Sequence, residues 1–378
     1  MMISEKNIII LLKSFTLGGA EKQALFLAGY LQNNRNCNVH IYSYIASSGI
    51  ELFHQECKKH KLQNLYIIKN PLSASGKLKY IKRRVKLLLF GLKLRKHKPD
   101  IIIPYLNPPS IIASLCYKIA GAKKTFWHHR GVDYYRNDAL EKRAAKKTPL
   151  FIANSGYGVL ELEKKLKINS NKIHLLANFT TVDFEVVKKE KEETNLENKI
   201  VIGMIAHFRN EKRQDILVKA FKKLVEINKN ISLLLVGNVN KNSKKEQENF
   251  KEIQDYINEH ELNQNIRILH DTNGDEVLPS IDIGVLLSLN EGMPNVIMEY
   301  MGYGLPVVTN KHSGCVALLG NDYKYFVENT IESVAIKLNE LILDTTERKR
   351  IGIQNFEQIK SDYSIEKYII NLETILAL

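Results

Sequence analysis

Two carboxylates stand eight residues apart in the stretch VLLSLNEGMPNVIMEYMGYGLPVVT, residues 285–309: Glu291 in a loop and Glu299 in a short helical pattern. A Gly-Met-Pro-Asn turn separates them, and hydrophobic runs of strand character flank the pair. Proline suits a first helical turn, where its missing N–H would be unsatisfied anyway. The pattern therefore predicts a helix starting near Pro294, whose free N–H groups and positive dipole end would hold an anion with no side chain required. Glu299, about one turn in, is placed to accept hydrogen bonds from vicinal hydroxyls such as those of a ribose. Glu291, ahead of the helix, would face the group beyond the phosphates. An isolated pair of glutamates reads as one loop acid and one helix-surface acid; the buried strands and the Pro-Asn turn argue for more.

Three further clusters could share this chemistry. In IAHFRNEKRQDILVKAF, residues 205–221, Arg209, Lys212 and Arg213 follow a strand and precede a helix, where cations can neutralise a leaving diphosphate. In SFTLGGAEKQ, Gly18 and Gly19 lie between a strand and a helix and let backbone N–H groups approach a phosphate closely, although a simple tight turn has the same composition. In WHHRGVDYYR, residues 127–136, aromatic, imidazole and guanidinium groups follow a strand. Adjacent His128 and His129 cannot both face one pocket from a strand; His129 is taken here, with His128 as the alternative. The segment Asp271-Thr-Asn-Gly-Asp275 reads as a turn before a helix, so no metal site is expected.

The elements that must position these groups alternate. In the first half, strand candidates Asn7–Phe15, Val39–Tyr44, Leu65–Lys69, Asp100–Leu106, Lys124–Trp127, Pro149–Ala153 and Ile173–Leu176 are separated mostly by helical patterns. The alternation restarts at Ile200 after KKEKEETNLENK, residues 188–199, an almost wholly polar linker. Near-continuous apolar strands of this kind form parallel sheets covered on both faces. The expected fold class is α/β, with two tandem Rossmann-like doubly wound domains facing a cleft: residues 1–187, a linker at 188–199, residues 200–362, and a last helix at 363–378. Such sheets bind ligands beyond the carboxyl ends of their strands.

Composition narrows the class. A hydrophobic fraction of 44% and a charged fraction of 25% over 378 residues suit a soluble protein of two domains. Four scattered cysteines without ligand spacing read as reduced thiols in a cytosolic protein. No N-terminal signal is evident, and the longest uncharged stretch, 101–117, holds three prolines and is not a membrane span. Residues 1–187 carry 31 basic and 12 acidic side chains, and residues 188–378 carry 24 and 29, so an anionic partner is expected for the first half alone. Ten of those cations lie within residues 77–98, with no acid among them and Leu78, Ile81, Val85, Leu88 and Leu92 at helical spacing. A basic amphipathic helix reads as binding an anionic membrane surface; a core-facing helix with a lysine-rich solvent side is the alternative. No nucleic-acid module or stacking platform is present, so nucleic acid is not expected as a partner.

The window EGMPNVIMEYMGYGLPVVT closely resembles the Glu-x7-Glu signature of retaining, nucleotide-sugar-dependent glycosyltransferases, glycosyltransferase family 4 or "group 1", of the GT-B fold and bacterial surface-polysaccharide type. That family reads E-G-x-P-N-x-x-x-E-A-M-A-x-G-x-P-V-V, and here Tyr300 replaces the common alanine. The resemblance implies that Glu299 binds the donor ribose, that Glu291 contacts hydroxyls of the transferred sugar, and that Gly292, Met293, Pro294, Asn295 and Val296 line the diphosphate. Gly-Gly-Ala-Glu is similar to the family's N-terminal loop, which reaches donor phosphate and acceptor. Lys212 matches the family's motif lysine, while His207 takes the usual arginine position and Arg213 that of a glycine. Arg209 would then supply the missing guanidinium. His129 would contact the sugar or the reacting centre, and Arg130 and Tyr134 the acceptor. The implied activity is retaining, metal-independent transfer of a hexose or N-acetylhexosamine from a nucleoside-diphosphate sugar, with UDP as the expected nucleotide and no other cofactor. The acceptor would be a lipid-linked or oligosaccharide chain of an O-antigen or capsule, handled in the cytoplasm on the inner face of the plasma membrane. Rival readings are another GT-B enzyme, such as an inverting transferase or an epimerase, and a non-catalytic nucleotide-sugar-binding protein.

Overall fold

A computed structural model describes residues 2–15, 17–44, 50–131, 138–185, 187, 199–240 and 242–378. The chain divides into two compact regions, Met1–Thr181 with Ile365–Leu378, and Val182–Ser364.

In the first region the run NIIILL forms β1, Asn7–Leu12, with Ile8 to Leu12 all buried. Continuous burial, in place of alternation, follows because both faces of a parallel sheet are covered. β1 lies at the centre of the order β3-β2-β1-β4-β5, with β2 at Asn38–Ser43, β3 at Leu65–Ile67, β4 at Ile101–Pro104 and β5 at Lys124–Thr125, every pair parallel. One face packs Ile8, Ile10 and Leu12 on the helix Gly19–Arg35, and the other packs Ile9 and Leu11 toward Phe90, Leu94 and Ile112. The single strand expected over Lys124–Trp127 is two: after Phe126 the chain leaves β5 and starts β6, Trp127–His129, in a separate sheet with β7, Phe151–Ala153, and β8, Ile173–Leu175. The last helix, Ile365–Ala377, buries Tyr368, Ile369, Leu372 and Leu376 in this region's core, and Tyr368 meets Phe179 edge-on at 4.8 Å.

The second region repeats the plan. β9 (Ile200–Ile205), β10 (Ile231–Val236), β11 (Ile266–Leu269), β12 (Ile283–Leu286), β13 (Val307–Asn310) and β14 (Phe326–Val327) form a parallel sheet in the order β11-β10-β9-β12-β13-β14. The strand order reverses between β9 and β12. Helices Gln214–Ile227, Lys244–Glu259, Asn295–Gly302 and Ile331–Leu343 provide crossovers and cover. Of the expected linker, residues 188–198 lie outside the described residues.

The helix Lys79–Arg95 does face the core, but not through the stripe read from spacing. Its buried side chains are Leu87, Phe90 and Leu94, with Gly91, whereas the stripe read from spacing is exposed. The four cysteines are buried and unbridged.

Candidate active site

Pairing of β9 with β12 stops at Gly203 and Gly284, while β9 runs on to Ile205 beside β10. The sheet therefore splits at its switch point, where doubly wound folds take ligands. Tyr300 forms the floor of the split. Its hydroxyl accepts the Ile205 N–H at 2.9 Å and donates to the Gly203 carbonyl at 3.2 Å. Its ring lies so near β12 that a Cβ at Gly284 would come within 2.4 Å of it. The large side chain at the family's alanine position is thus accommodated by a glycine on the opposing strand.

Two loops meet above this floor. After β12 the chain passes Ser288 to Glu291, and after β9 a short 3-10 turn, Asn210–Lys212, brings in Lys212. The Leu289 N–H donates to the Glu211 carbonyl at 2.7 Å and joins the loops. Lys212 ion-pairs with Glu291 Oε1, and the Ser288 hydroxyl donates to the same oxygen at 2.7 Å. Lys212 Nζ is also 3.3 Å from Ser288 Oγ. The Lys212 and Glu291 side chains are 21% and 17% exposed, enough to be reached by a ligand yet shielded enough for charge to matter. Arg213, in left-handed backbone at φ +56°, forks onto Asp215 with two 3.1 Å bonds. Arg209 is exposed, and its nearest acids, Glu211 and Glu246, stand 3.8 and 3.9 Å away. His207 is also exposed, on a loop whose Ala206 and His207 carbonyls are held by the Gln214 amide at 3.3 and 3.0 Å.

The helix Asn295–Gly302 starts next to Pro294, which is its cap residue and not part of the first turn; no side chain caps it and its first turn holds no acid. Gly292, Met293 and Pro294 before it are buried, and Asn295 and Val296 are half-buried. The approach to the helix is braced from behind. A Cβ at Gly314 would fall 1.7 Å from the Gly292 carbonyl oxygen, so only glycine lets the helix Ser313–Leu319 pack there. His312 Nε2 lies 2.5 Å from the Ser288 carbonyl, a contact that needs the proton on Nε2. Glu299 is buried one turn into the helix, and its Oε2 is 3.9 Å from where Gly274 would carry a Cβ. Asp271 to Asp275 make a turn: Asn273 caps the Asp275 N–H at 3.3 Å, and Asp271 accepts from Asn238 at 2.9 Å. Among the described residues no group of three His, Cys, Asp or Glu side chains could hold a metal.

The first region gathers a different set at the carboxyl ends of β1, β4 and β6. Gly18 caps the helix Gly19–Arg35 in extended backbone at φ −121°, which any residue could adopt. A Cβ at position 18 would stand 2.9 Å from Glu21 Oε2, the far end of a side chain that can swing aside. Burial pushes the Glu21 carboxyl up to about 7, against the opposing pull of nearby backbone N–H groups, Arg130 and Lys13. Glu21 ends the Gly-Gly-Ala-Glu segment, in which the sequence singles out the two glycines and assigns the acid no role, because an acid in a first helical turn is ordinary. Arg130 lies over the Tyr105 ring at 4.9 Å, with Nη1 3.4 Å from His128 Nε2. His128 Nδ1 donates to the Pro104 carbonyl at 3.0 Å, which leaves Nε2 as the acceptor. Burial first, and then the Arg130 charge, hold this imidazole well below the usual histidine range. His129 points to the opposite face of β6, where a Cβ at Gly158, in the first turn of the helix Gly156–Leu166, would lie 2.6 Å from its ring. The structure thus brings His128, and not His129, together with Arg130. Tyr134 lies outside the described residues.

Comparison with known proteins bears on the family and the fold. Residues 17–184 match the family described as Glycosyltransferase Family 4, and residues 186–358 match Glycosyl transferases group 1. The chain is 26% identical to an uncharacterized glycosyltransferase of Haemophilus influenzae over 95% of this chain and 96% of that protein. It is 23% identical to the capsular polysaccharide biosynthesis glycosyltransferase CapM of Staphylococcus aureus over 96% of each. Anabaena Alr3699/HepE, solved in complex with UDP and glucose, shares the fold with a TM-score of 0.79 at 18% identity, covering 98% of this chain and 99% of that one. The fold is GT-B, and with the two family matches adjoining along the chain and the paired acids in their signature window, this protein belongs to the group 1, family 4 glycosyltransferases.

Proposed function

We propose that this glycosyltransferase moves a hexose or N-acetylhexosamine from a UDP-sugar to a saccharide acceptor, with retention of anomeric configuration and without a metal. The observation that carries the reading is the Lys212–Glu291–Ser288 cluster beside the uncapped helix Asn295–Gly302 at the β9/β12 split. A diphosphate would meet the helix amino end and the Lys212 ammonium, which together stabilise the charge that grows as the bond to the sugar breaks. Lys212 would then exchange its carboxylate partner for phosphate, releasing Glu291 to accept hydrogen bonds from sugar hydroxyls. Glu299 would accept from the ribose. The sequence places no second carboxylate evidently as a nucleophile, so front-face transfer, with the leaving phosphate oxygen helping to deprotonate the acceptor hydroxyl, is the step we favour. The complex of HepE with UDP and glucose supports the nucleotide, and the CapM relative, named for capsular polysaccharide biosynthesis, supports a surface-polysaccharide acceptor; in our reading that acceptor is lipid-linked and met on the cytoplasmic face of the membrane.

The test is a melting-temperature screen of the full chain against UDP- and GDP-sugars, followed by NMR of the product. A shift specific to one UDP-sugar and an anomeric centre unchanged from donor to product are expected. Inversion at that centre, or stabilisation by GDP-sugars alone, would remove this reading.

A further inference from the structure

The helix Lys79–Arg95 has two apolar faces, and only one of them meets the protein. Leu87, Phe90, Gly91 and Leu94 are buried, and the helix packs on Asn107–Ala120 so closely that a Cβ at Gly91 would lie 2.7 Å from Ile119 Cγ2. Leu78, Ile81, Val85, Leu88, Leu89 and Leu92 are between 44% and 60% exposed. At about 100° per residue these six occupy a sector of about 100°, roughly opposite the buried one. By the same wheel Lys82, Lys86 and Lys93 border one flank of the stripe, and Arg84 and Arg95 the other. The helix is braced at its start, where Arg83 donates to the Leu72 carbonyl at 2.8 Å and Lys86 to that of Ser73 at 2.6 Å.

Soluble proteins rarely leave a contiguous row of large apolar side chains in water without a partner for it. A stripe of leucines edged on both sides by cations, with no acid in residues 77–98, is complementary to the boundary of an anionic leaflet. There the apolar side chains reach the acyl region while lysine and arginine extend to the headgroup phosphates. Among the described residues no helix is long and apolar enough to cross a membrane, so the contact lies in the plane of the surface. A second copy of the same face would set like charges against each other. Nucleic acid would use the cations and leave the leucines wet. We propose that Lys79–Arg95 lies in the headgroup boundary of an anionic phospholipid leaflet, with Ile81, Val85, Leu88 and Leu92 inserted. This surface holds the enzyme against the membrane whichever donor and acceptor it uses.

The test is flotation of the full chain with vesicles of phosphatidylcholine alone or mixed with phosphatidylglycerol. Wild type floats with the mixed vesicles and far less with the neutral ones. The triple variant K82E/R84E/R95E loses partition on the order of a hundredfold, since each cation near the surface contributes about a factor of five. I81S/L88S/L92S also loses flotation, and both keep the wild-type melting temperature because the replaced side chains are exposed. The proposal is overturned if wild type stays at the bottom of the gradient with anionic vesicles, or if the charge variant floats equally well. It is also overturned if vesicles are ignored while I81S/L88S/L92S turns a dimer into a monomer, or if only RNA is bound and that variant binds it unchanged. A wrong donor assignment would instead abolish the UDP-induced melting shift and leave flotation as it is.

Discussion

The carboxyl ends of the two central sheets offer the same topology and opposite chemistry. In the second region, where β9 and β12 part, the ionic groups are partnered before any ligand arrives: Lys212 with Glu291, and Ser288 with the same oxygen. In the first region, at the ends of β1, β4 and β6, the groups are an acid near neutrality, a buried neutral imidazole and one guanidinium stacked on tyrosine. A doubly wound sheet supplies a place for a ligand, and the loop residues decide which charge that place tolerates. The second region suits a polyanion carrying hydroxyls. The first suits groups of little charge, because burial there has already pushed Glu21 and His128 toward their neutral forms.

The largest effect that can break this contrast is on turnover. Glu291→Ala is expected to lower kcat by about 100- to 1,000-fold while leaving the UDP-induced melting shift intact, since the proposed reading sets Glu291 against the sugar. Glu299→Ala is expected to do the reverse, weakening UDP binding by roughly tenfold or more through the loss of charged hydrogen bonds. Titration calorimetry with UDP beside initial rates separates the two; equal losses in both quantities for both variants would erase the division of roles.

A smaller effect probes the floor of the donor split. Gly284→Ala drives a methyl into the Tyr300 ring and should destabilise the second region by about 1–3 kcal/mol. In a Tyr300→Ala background the same change has nothing to strike, so the double variant should melt no lower than Tyr300→Ala alone. Additive losses in scanning calorimetry would show that the ring contact is not what keeps position 284 small.

The smallest effect belongs to the first region and is one of pH. The folded chain holds the Glu21 proton up to about 7, whereas an unfolded chain releases it near the ordinary value of 4.5. Stability therefore falls as pH rises from 4.5 to 7 and is flat with respect to this group outside that window. Because the side chain is partly exposed, the loss should amount to about 1–2 kcal/mol. The melting temperature of Glu21→Gln, compared with wild type from pH 5 to 8, should lack that slope; a constant difference would clear Glu21 of any titration in this range.

Much of the donor side was legible along the chain because a parallel sheet makes sequence order into position: whatever follows a strand arrives at its carboxyl end. Glu291 and Lys212 follow β12 and β9, and they meet. Arg213 reads as a third cation for the diphosphate, yet it is committed to Asp215, since its left-handed backbone turns the guanidinium back on its own helix. The cluster in the first region was harder to read. Strand alternation puts His128 and His129 on opposite faces, but only the packing of β6 between Arg130 and the helix Gly156–Leu166 says which face holds which partners. Spacing within Lys79–Arg95 identifies an apolar stripe correctly and cannot say whether core or solvent receives it, because a second apolar face at other positions competes for the core.

What the sequence determined by itself is the plan: two runs of alternating buried strands and amphipathic helices, and acids, cations and glycines stationed just past strand ends. Those are local matters of periodicity and turn chemistry, expressed within a few residues. What only the tertiary structure decided is which of those groups are partnered: Lys212 with Glu291, Arg213 with Asp215, Tyr300 against Gly284, Glu21 over Gly18. Partnership and burial join chain segments far apart in sequence, 79 residues for Lys212 with Glu291 and 97 for the Tyr300 hydroxyl with the Gly203 carbonyl, and the desolvation that sets the charge of Glu21 and His128 exists only once such segments have excluded water between them.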